Sequence, residues 1–376
     1  MEPGAIVKIR DVLQNYMKQH ELNYARFSSL SGVNQGTLSR IIQGKTPISF
    51  RQLEAITRAM ELPADSLFDS YIEECFAYPT SVRRIRPFLI RCAELGRLDC
   101  IEKMVSRLLD DLFYKTALFE IGEELFSNNY SEAAALLYEH VSESEKFQHS
   151  ERLALCRYRL FQISLSKDLE ANFQAAIVFE RHIQRLDESY QLDALKQLID
   201  VLITVKKWQK VDELAVEMLK IAEVQYRRPP EGKPKHPIYF YVMYAWLIRS
   251  AVCEERQDYK GALRYVDKYT DNSWIKEQDD EARRYIQQFK EWATANTYLY
   301  RLLSGEAEAL NPYADYIASR PDEIMLALGY IVRAALKFKY DIDEILKRFS
   351  AYIPTFLFPS NAGDYNQAMM NAECAQ

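Results

Sequence analysis

The chain has 376 residues, of which 48% are hydrophobic and 27% charged, and its formal net charge is -6. These values are ordinary for a globular protein that is long enough for two or three domains. Glycine and proline are scarce, at 11 and 13 residues. Because a sheet-rich chain of this length would need more turn residues, the composition favours an all-α fold.

The charge is unevenly distributed along the chain. Residues 1–70 carry eight Lys and Arg against seven Asp and Glu, whereas the remainder is acidic. Because phosphate contacts require cations, the acidic remainder is not expected to bind nucleic acid non-specifically. Any DNA contact should therefore lie in the first 70 residues, with Arg83, Arg84, Arg86 and Arg91 as further candidates just beyond them.

No pattern in the chain indicates catalysis, a metal site or a cofactor. The cysteines show no CxxC spacing, so reduced thiols in a cytoplasmic protein are expected. The sequence contains no Gly-rich phosphate loop and no nucleophile elbow, and it is predicted not to be an enzyme. No apolar run approaches the roughly 18 residues of a membrane span. The cysteines are Cys75, Cys92, Cys100, Cys156, Cys253 and Cys374.

The first 70 residues predict five helices. Apolar residues at helical spacing place the first helix over residues 6–17. Asn23 and Asn34 are suited to be the N-caps of the second and third helices, and Gly32 provides the turn between them. Gly44 ends the third helix. A fourth helix is predicted from Ser49 and a short fifth one over residues 62–68.

This pattern resembles the Xre/Cro family of helix-turn-helix domains. The similarity rests on residues 27–33 (FSSLSGV), 38–45 (LSRIIQGK) and 53–56 (LEAI). In this family the N-terminal end of the third helix enters the major groove of DNA. The resemblance therefore implies a five-helix DNA-binding domain over residues 1–70.

The same resemblance implies which residues contact DNA. Five residues at the start of the third helix would face base edges, where Gln can bond adenine, Arg guanine and the Thr methyl thymine. They are Asn34, Gln35, Gly36, Thr37 and Arg40. Lys45, Thr46, Tyr24 and Arg26 would lie along the phosphates. Asn34 could instead act only as a cap, and Arg26 could belong to a solvated surface.

A weak repeat follows in the rest of the chain. Four segments share an aromatic residue, a small or β-branched residue three positions later and a larger apolar residue six positions later. They are Tyr130/Ala133/Leu136, Phe173/Ala176/Phe179, Trp208/Val211/Leu214 and Tyr259/Ala262/Tyr265. Each follows a short polar break after an apolar helical run. The pattern predicts degenerate helix pairs like those of tetratricopeptide (TPR) repeats, stacked into a right-handed α-solenoid over residues 88–358.

Three segments interrupt or flank these repeats. Residues 71–87 are predicted to be a linker in which Pro79 and Pro87 break the helix. Residues 227–237 are rich in Pro and basic residues and are predicted to be a loop. The tail, residues 359–376, is polar and is expected to be flexible.

A helix-turn-helix head joined to an irregular TPR-like body resembles the RRNPP peptide-pheromone receptors of Gram-positive bacteria and their phages, which include the arbitrium receptors. The resemblance implies a quorum-sensing transcription regulator that acts as a homodimer in the cytoplasm. A short signalling peptide would bind the concave face of the repeats and alter the binding of double-stranded operator DNA. Residues around 324–358 are apolar enough to supply a dimer surface, and the alternative is that they only cap the solenoid.

The residues that would bind the peptide are less sharply indicated. Asn296 stands among apolar residues in the middle of a predicted helix, where Asn is unfavourable without a reason. Tyr241, Tyr244 and Arg249 belong to an unusually aromatic helix. Gln197 and Asp200 precede them on another repeat. Two alternatives stay open: the aromatic residues could be inter-helix core, and the body could bind a protein partner instead of a free peptide.

Overall fold

The computed structural model describes residues 8–108, 112–145 and 150–353, and the secondary structure of these residues is helical throughout. The chain divides into two compact units, one ending at Leu186 and the other beginning at Asp187. The expected all-α class is thereby confirmed. The predicted flexible tail lies outside the described residues.

The ends of the helices in the head are set by side-chain caps and by glycine. The side chains of Asn23 and Asn34 accept hydrogen bonds from backbone amides of the helices they precede. Ser49 and Gln52 form a reciprocal capping box. Gly32 has a φ of 69°, a left-handed conformation that glycine adopts at little cost. The helices are α1 (Ile9–Gln19), α2 (Tyr24–Ser31), α3 (Gln35–Ile42), α4 (Phe50–Ala59) and α5 (Phe68–Phe76).

The fifth helix differs from its predicted position. The segment expected to be helical, residues 62–68, forms turns, one of them closed by the Ser66 amide on the Pro63 carbonyl at 3.0 Å. Helix α5 begins at Phe68, just where the prediction ended. Because Leu67 and Phe68 are buried, their apolar pattern marks the entry into α5 and not the end of a shorter helix.

The segment predicted to be a linker, residues 71–87, is mostly helical. It contains most of α5 and the start of α6 (Val82–Glu94). Pro87 was expected to break the helix, and that expectation is wrong, because Pro87 lies inside α6. Pro87 and Arg83 are both exposed, so the Arg83 carbonyl left without an amide partner lies on the exposed side. Whether the domains divide at residues 70 and 88 stays a prediction.

Head and following helices share one aromatic core. The rings of Phe50, Phe68 and Tyr71 pack around Phe88 of α6, with centroid distances between 5.2 and 5.6 Å. All four residues are buried. Such ring pairs stabilise a core beyond their buried area. The head is therefore packed against α6 and is not suspended on a flexible connection.

The remaining helices of the first unit pack mainly against neighbours in the chain. Each helix packs against the next in the chain order α8, α9, α10, α11. Tyr130 is the N-cap residue of α9, as the repeat pattern requires. Phe173 lies four residues inside its helix instead of opening it. The helices are α7 (Leu98–Ser106), α8 (Leu112–Ser127), α9 (Ser131–Ser144), α10 (Glu151–Ser164) and α11 (Leu169–Glu180).

The second unit follows the same plan. Trp208 and Tyr259 are the first residues of α13 and α15, and the residues three positions later, Val211 and Ala262, are fully buried. These small residues let neighbouring helices approach closely. The TPR-like helix pairs are thereby confirmed within each unit. The helices are α12 (Glu188–Thr204), α13 (Trp208–Arg227), α14 (Ile238–Glu255), α15 (Tyr259–Thr270), α16 (Asp280–Ser304), α17 (Leu310–Ala318), α18 (Ile324–Phe338) and α19 (Asp343–Arg348).

Two further observations concern the described residues as a whole. The five cysteines among them are free thiols, and four of these are buried. None of the described helices is both long and apolar enough to cross a membrane.

Candidate DNA-binding and peptide-binding sites

Helix α3 presents one buried face and one exposed face. Leu38, Ile41 and Ile42 are buried in the core of the head. The Asn34 side chain caps the helix by accepting the Gly36 amide at 2.9 Å. Anchoring by three apolar side chains fixes which residues of α3 can face a ligand.

The residues predicted to read bases lie together on the exposed face. Gln35 and Arg40 are exposed and Thr37 is half-buried. Arg40 Nη2 lies 3.4 Å from Thr37 Oγ1, which draws both side chains to the same part of the surface. A Cβ at Gly36 would lie 3.3 Å from Asn34 Oδ1, so the cap favours a glycine at this position. The arrangement is suited to the major groove, and base contact by these residues stays a prediction.

The residues predicted to lie along phosphates are less uniform. Arg26 and Lys45 are exposed, and Tyr24 is half-buried against the head core. Thr46 does not fit its expected role, because its hydroxyl is enclosed and has no hydrogen-bond partner among the described residues. The hydroxyl therefore faces the protein interior and does not face a bound duplex.

Three of the four arginines that follow the head are engaged within the protein. Arg84 is buried, with Nε donating to the Ile48 carbonyl at 3.2 Å. Arg86 pairs with Glu124 at 2.6 Å. Arg91 Nη1 lies 2.6 Å from Glu94. Burial removes Arg84 from the surface. Arg86 and Arg91 keep 48% and 36% of their side-chain surface exposed beside their carboxylate partners, and DNA contact by them stays a prediction. Arg83 is exposed.

Comparison with known proteins defines the head. Residues 12–68 match the family model of the Cro/C1-type HTH DNA-binding domain. The head is a Cro/C1-type helix-turn-helix domain. The match begins inside α1 and ends at the first residue of α5, so it covers the capped helices and the turn described above.

Two further comparisons concern the whole chain. None of the curated proteins matches the chain. A solved structure of Bacillus thuringiensis PlcR, in complex with the peptide PapR7 and DNA, is similar to this chain at 12% sequence identity and a TM-score of 0.28, over 93% of this chain and 99% of the PlcR chain. A TM-score of this size does not establish that the two chains share one arrangement of helices.

Two of the predicted peptide contacts are buried tyrosines. Tyr241 is fully buried and its hydroxyl donates to Asp193. Tyr244 is 8% exposed and its hydroxyl donates to Asp200. Both side chains link α14 to α12, so the expectation that they face a peptide is wrong for this structure. Burial and the Asp200 carboxylate raise the pKa of Tyr244, which keeps its hydroxyl a donor.

The other candidates are half-buried polar groups on the first helices of their pairs. Asp200 also accepts from Lys196 at 2.8 Å, and Gln197 is half-buried beside them on α12. Arg249 of α14 lies 3.4 Å from Asp212 and its guanidinium stacks 4.7 Å from the centre of the Tyr265 ring. These groups keep some contact with solvent.

Asn296 is a half-buried amide on α16. Its Nδ2 donates to the Tyr269 hydroxyl at 3.1 Å, which joins α16 to α15. This hydrogen bond to a neighbouring helix gives the amide a structural role. Among the described residues, no partner is found for its carbonyl oxygen, and the residue is half-buried. An amide with a free acceptor suits the N–H groups of an extended peptide.

Sequence reasoning missed Glu254, near the end of α14. Burial raises the pKa of this carboxyl to about 7, against the opposing influence of Tyr330 and Arg333. A carboxyl that holds a proton near neutral pH is uncommon outside functional sites. The signal available in the sequence was a glutamate at the end of an aromatic helix, which alone is too common to select it.

The predicted loop at residues 227–237 is confirmed, and its end is fixed to the helices around it. The Lys235 amide donates to Asp193 at 2.8 Å and the His236 amide donates to Tyr241 at 3.2 Å. His236 Nδ1 lies 2.9 Å from the Tyr285 hydroxyl. Burial lowers the pKa of His236, so the ring is neutral at physiological pH.

One cluster has the residue types of a metal site, but its carboxylates are already paired with basic side chains. Asp69, Asp99 and Cys100 lie close together. Arg97 lies 2.8 Å from Asp99, and Lys103 lies 2.6 Å from Asp69. The two cations already neutralise the carboxylates, and the cluster therefore forms part of the ion pairing between the head and α7.

Proposed function

We propose that the protein is an RRNPP-type transcription regulator that reads operator DNA through α3 and is switched by a short signalling peptide bound to its helical body. The observation that carries the DNA part is the exposed polar end of α3 within a matched Cro/C1-type domain. Gln35, Thr37 and Arg40 offer a donor and acceptor set suited to base edges, while the buried face of α3 holds them in place.

Single substitutions on α3 test the DNA-reading proposal. Gln35→Ala and Arg40→Ala should each cost roughly 1–3 kcal/mol at the preferred duplex and relax base preference. Arg58→Ala is a matched control for Arg40→Ala. Arg58 is exposed in the last turn of α4, and its replacement removes one positive charge, as the replacement of Arg40 does. The duplex is first selected from a random library by the unaltered protein. Wild-type affinity in both α3 variants would remove α3 from the interface.

The peptide part is supported by polar groups that lie half-buried in the second unit. Helix α12 carries Lys196, Gln197 and Asp200. Arg249 lies on α14, and Asn296 lies on α16. These are first helices of their pairs, the helices that line the inner face in a solenoid of this kind. An extended peptide requires partners for its backbone amides and carbonyls, and amide and charged side chains provide them.

Calorimetry tests the peptide proposal. Short synthetic peptides from reading frames beside the gene are titrated into the full-length protein and into Asn296→Ala. The variant should bind more weakly while its DNA affinity without peptide is unchanged. Gln287→Ala is the control, because Gln287 lies on the same helix but is exposed and bonded to Glu291 at 3.0 Å. Absence of heat with every peptide would favour the alternative below.

We further infer that the regulator is a homodimer. Cro/C1-type heads commonly read paired half-sites, and two heads enlarge a small interface. Leu326 and Leu336 on α18 are 46% and 80% exposed, which leaves an apolar surface near the end of the described chain. A second copy of α18 would cover it.

A second candidate function is a repressor whose body binds a protein partner and no free peptide. It is favoured by α11, where Leu169, Ile177 and Val178 are between 44% and 50% exposed. Leu169 and Ile177 lie about 80° apart around the helix at about 100° per residue, on one side of α11. Exposed apolar residues that lie on one side of a helix are typical of protein interfaces. Ile177→Glu would abolish partner binding under this alternative and would leave peptide affinity unchanged under the first.

A further inference from the structure

The loop that follows α3 is held by two side chains, Tyr78 from the α5–α6 connection and Arg84 from the first turn of α6. Tyr78 donates its hydroxyl to the Gly44 carbonyl at 2.9 Å. Arg84 donates through Nε to the Ile48 carbonyl at 3.2 Å and through Nη2 to the Glu74 carbonyl at 3.1 Å. The two loop carbonyls are 34 and 36 residues away in sequence from the side chains that bind them.

Gly44 is also the residue that closes the last turn of α3. It adopts a φ of 70°, and its amide donates to the Ile41 carbonyl at 2.9 Å. The next amide, of Lys45, donates to the Arg40 carbonyl at 2.9 Å. A hydrogen bond to the Gly44 carbonyl therefore holds the C-terminal turn of α3, which carries Arg40. It also holds the backbone amide of Lys45 in place.

The side chains that hold the loop are themselves anchored in the body of the first unit. Arg84 is 8% exposed and its guanidinium lies 5.8 Å from the centre of the buried Tyr71 ring. Tyr114 of α8 donates its hydroxyl to the Thr80 carbonyl at 2.8 Å, two residues from Tyr78. Hydrogen bonds thus lead from α8 to the connection and from the connection to the loop after α3.

We propose that Tyr78 and Arg84 are positioning residues for DNA recognition, which set the end of α3 through their own hydrogen bonds to the loop that follows it. The proposal rests on the proposed reading of DNA by α3. Base contacts depend on side-chain placement to within about an ångström, so release of the Gly44 carbonyl weakens specific binding. Non-specific binding depends on charge and is unaffected by it.

Tyr78→Phe and Tyr114→Phe in the full-length protein form a matched pair. Each removes one tyrosine hydroxyl that donates to a backbone carbonyl at the same connection, but only Tyr78 contacts the loop after α3. Tyr78→Phe should bind the selected duplex roughly five- to tenfold more weakly, the effect of one net hydrogen bond. Its affinity for a scrambled duplex should not change, and Tyr114→Phe should behave as wild type with both duplexes.

Hydrogen exchange gives a readout that does not depend on DNA. Exchange at the Lys45 amide should be faster in Tyr78→Phe than in Tyr114→Phe, even if both variants lose some thermal stability. Equal affinity and equal exchange in the two variants would overturn the positioning role. If the wild-type protein selects no duplex at all, the reading of DNA by α3 fails, whereas the exchange comparison still decides whether Tyr78 holds the loop.

Discussion

Replacement of Glu254 by glutamine should change how stability depends on pH. Burial raises the pKa of this carboxyl in the folded protein from 4.5 to about 7. Between these values the folded state holds a proton that the unfolded state has lost. Stability contributed by the protonated group is therefore complete below pH 4.5 and is lost as the pH rises through 7.

The structure sets the size of the effect. The rise of the Glu254 pKa from 4.5 to about 7 corresponds to about 3.5 kcal/mol as an upper bound, because one pKa unit is about 1.4 kcal/mol. Since Glu254 is half-buried, water reduces the penalty, and about 1–3 kcal/mol is expected. Glutamine resembles the protonated acid and cannot ionise. Glu254→Gln should therefore match wild type at pH 4.5 and exceed its stability at pH 8.

Urea unfolding at a series of pH values measures this difference. Glu223→Gln is the control, because Glu223 is exposed and is not one of the charges that act on Glu254, so its loss should leave the pH profile unchanged. If Glu254→Gln and wild type lose stability in parallel between pH 5 and pH 8, the carboxyl is not protonated in the folded state. The reasoning from burial would then be refuted.

Three further outcomes are expected. Lys45→Ala should weaken binding to all duplexes alike and reduce the salt slope of binding by about 1, measured by fluorescence anisotropy over a salt series. Leu336→Glu should convert a dimer into a monomer in light scattering without loss of thermal stability, because Leu336 is 80% exposed. Burial, with Arg181 nearby, lowers the pKa of His182 to about 4 from 6.5. The unfolded state then binds more protons between these values, so stability should fall from pH 6.5 to pH 4 in wild type and less in His182→Gln.

Features governed by neighbouring residues could be predicted from the sequence. The caps at Asn23 and Asn34 and the glycine turn at Gly32 depend on groups two to four residues away. The helix pairs could be predicted from one aromatic residue and one small or β-branched residue in each pair, such as Trp208 and Val211. Local hydrogen bonding and helical periodicity determine these features, and both are visible in the order of residues.

Features governed by distant partners could not be predicted. Tyr241 and Tyr244 became core residues because Asp193 and Asp200, on another helix, accept their hydroxyls. A tyrosine in a groove and a tyrosine bonded across two helices look alike in sequence. The enclosed hydroxyl of Thr46 likewise depends on the packing of the loop after α3, which no local pattern reveals.

The shared core between head and body leads to a final prediction about where the domain ends. Phe88 is fully buried against Phe50, Phe68 and Tyr71. A fragment ending at residue 80 loses this ring and leaves its three partners exposed, whereas a fragment ending at residue 108 retains it.

Burial of one large apolar side chain contributes about 1.5–3 kcal/mol, and Ile85 and Leu89 are buried on the same helix. The shorter fragment should therefore unfold at a clearly lower urea concentration, with its circular dichroism already reduced at room temperature. If both fragments unfold at the same concentration, the head is independent of α6. A body that binds a peptide would then need another route to α3, because neither the ring cluster nor Arg84 would connect them.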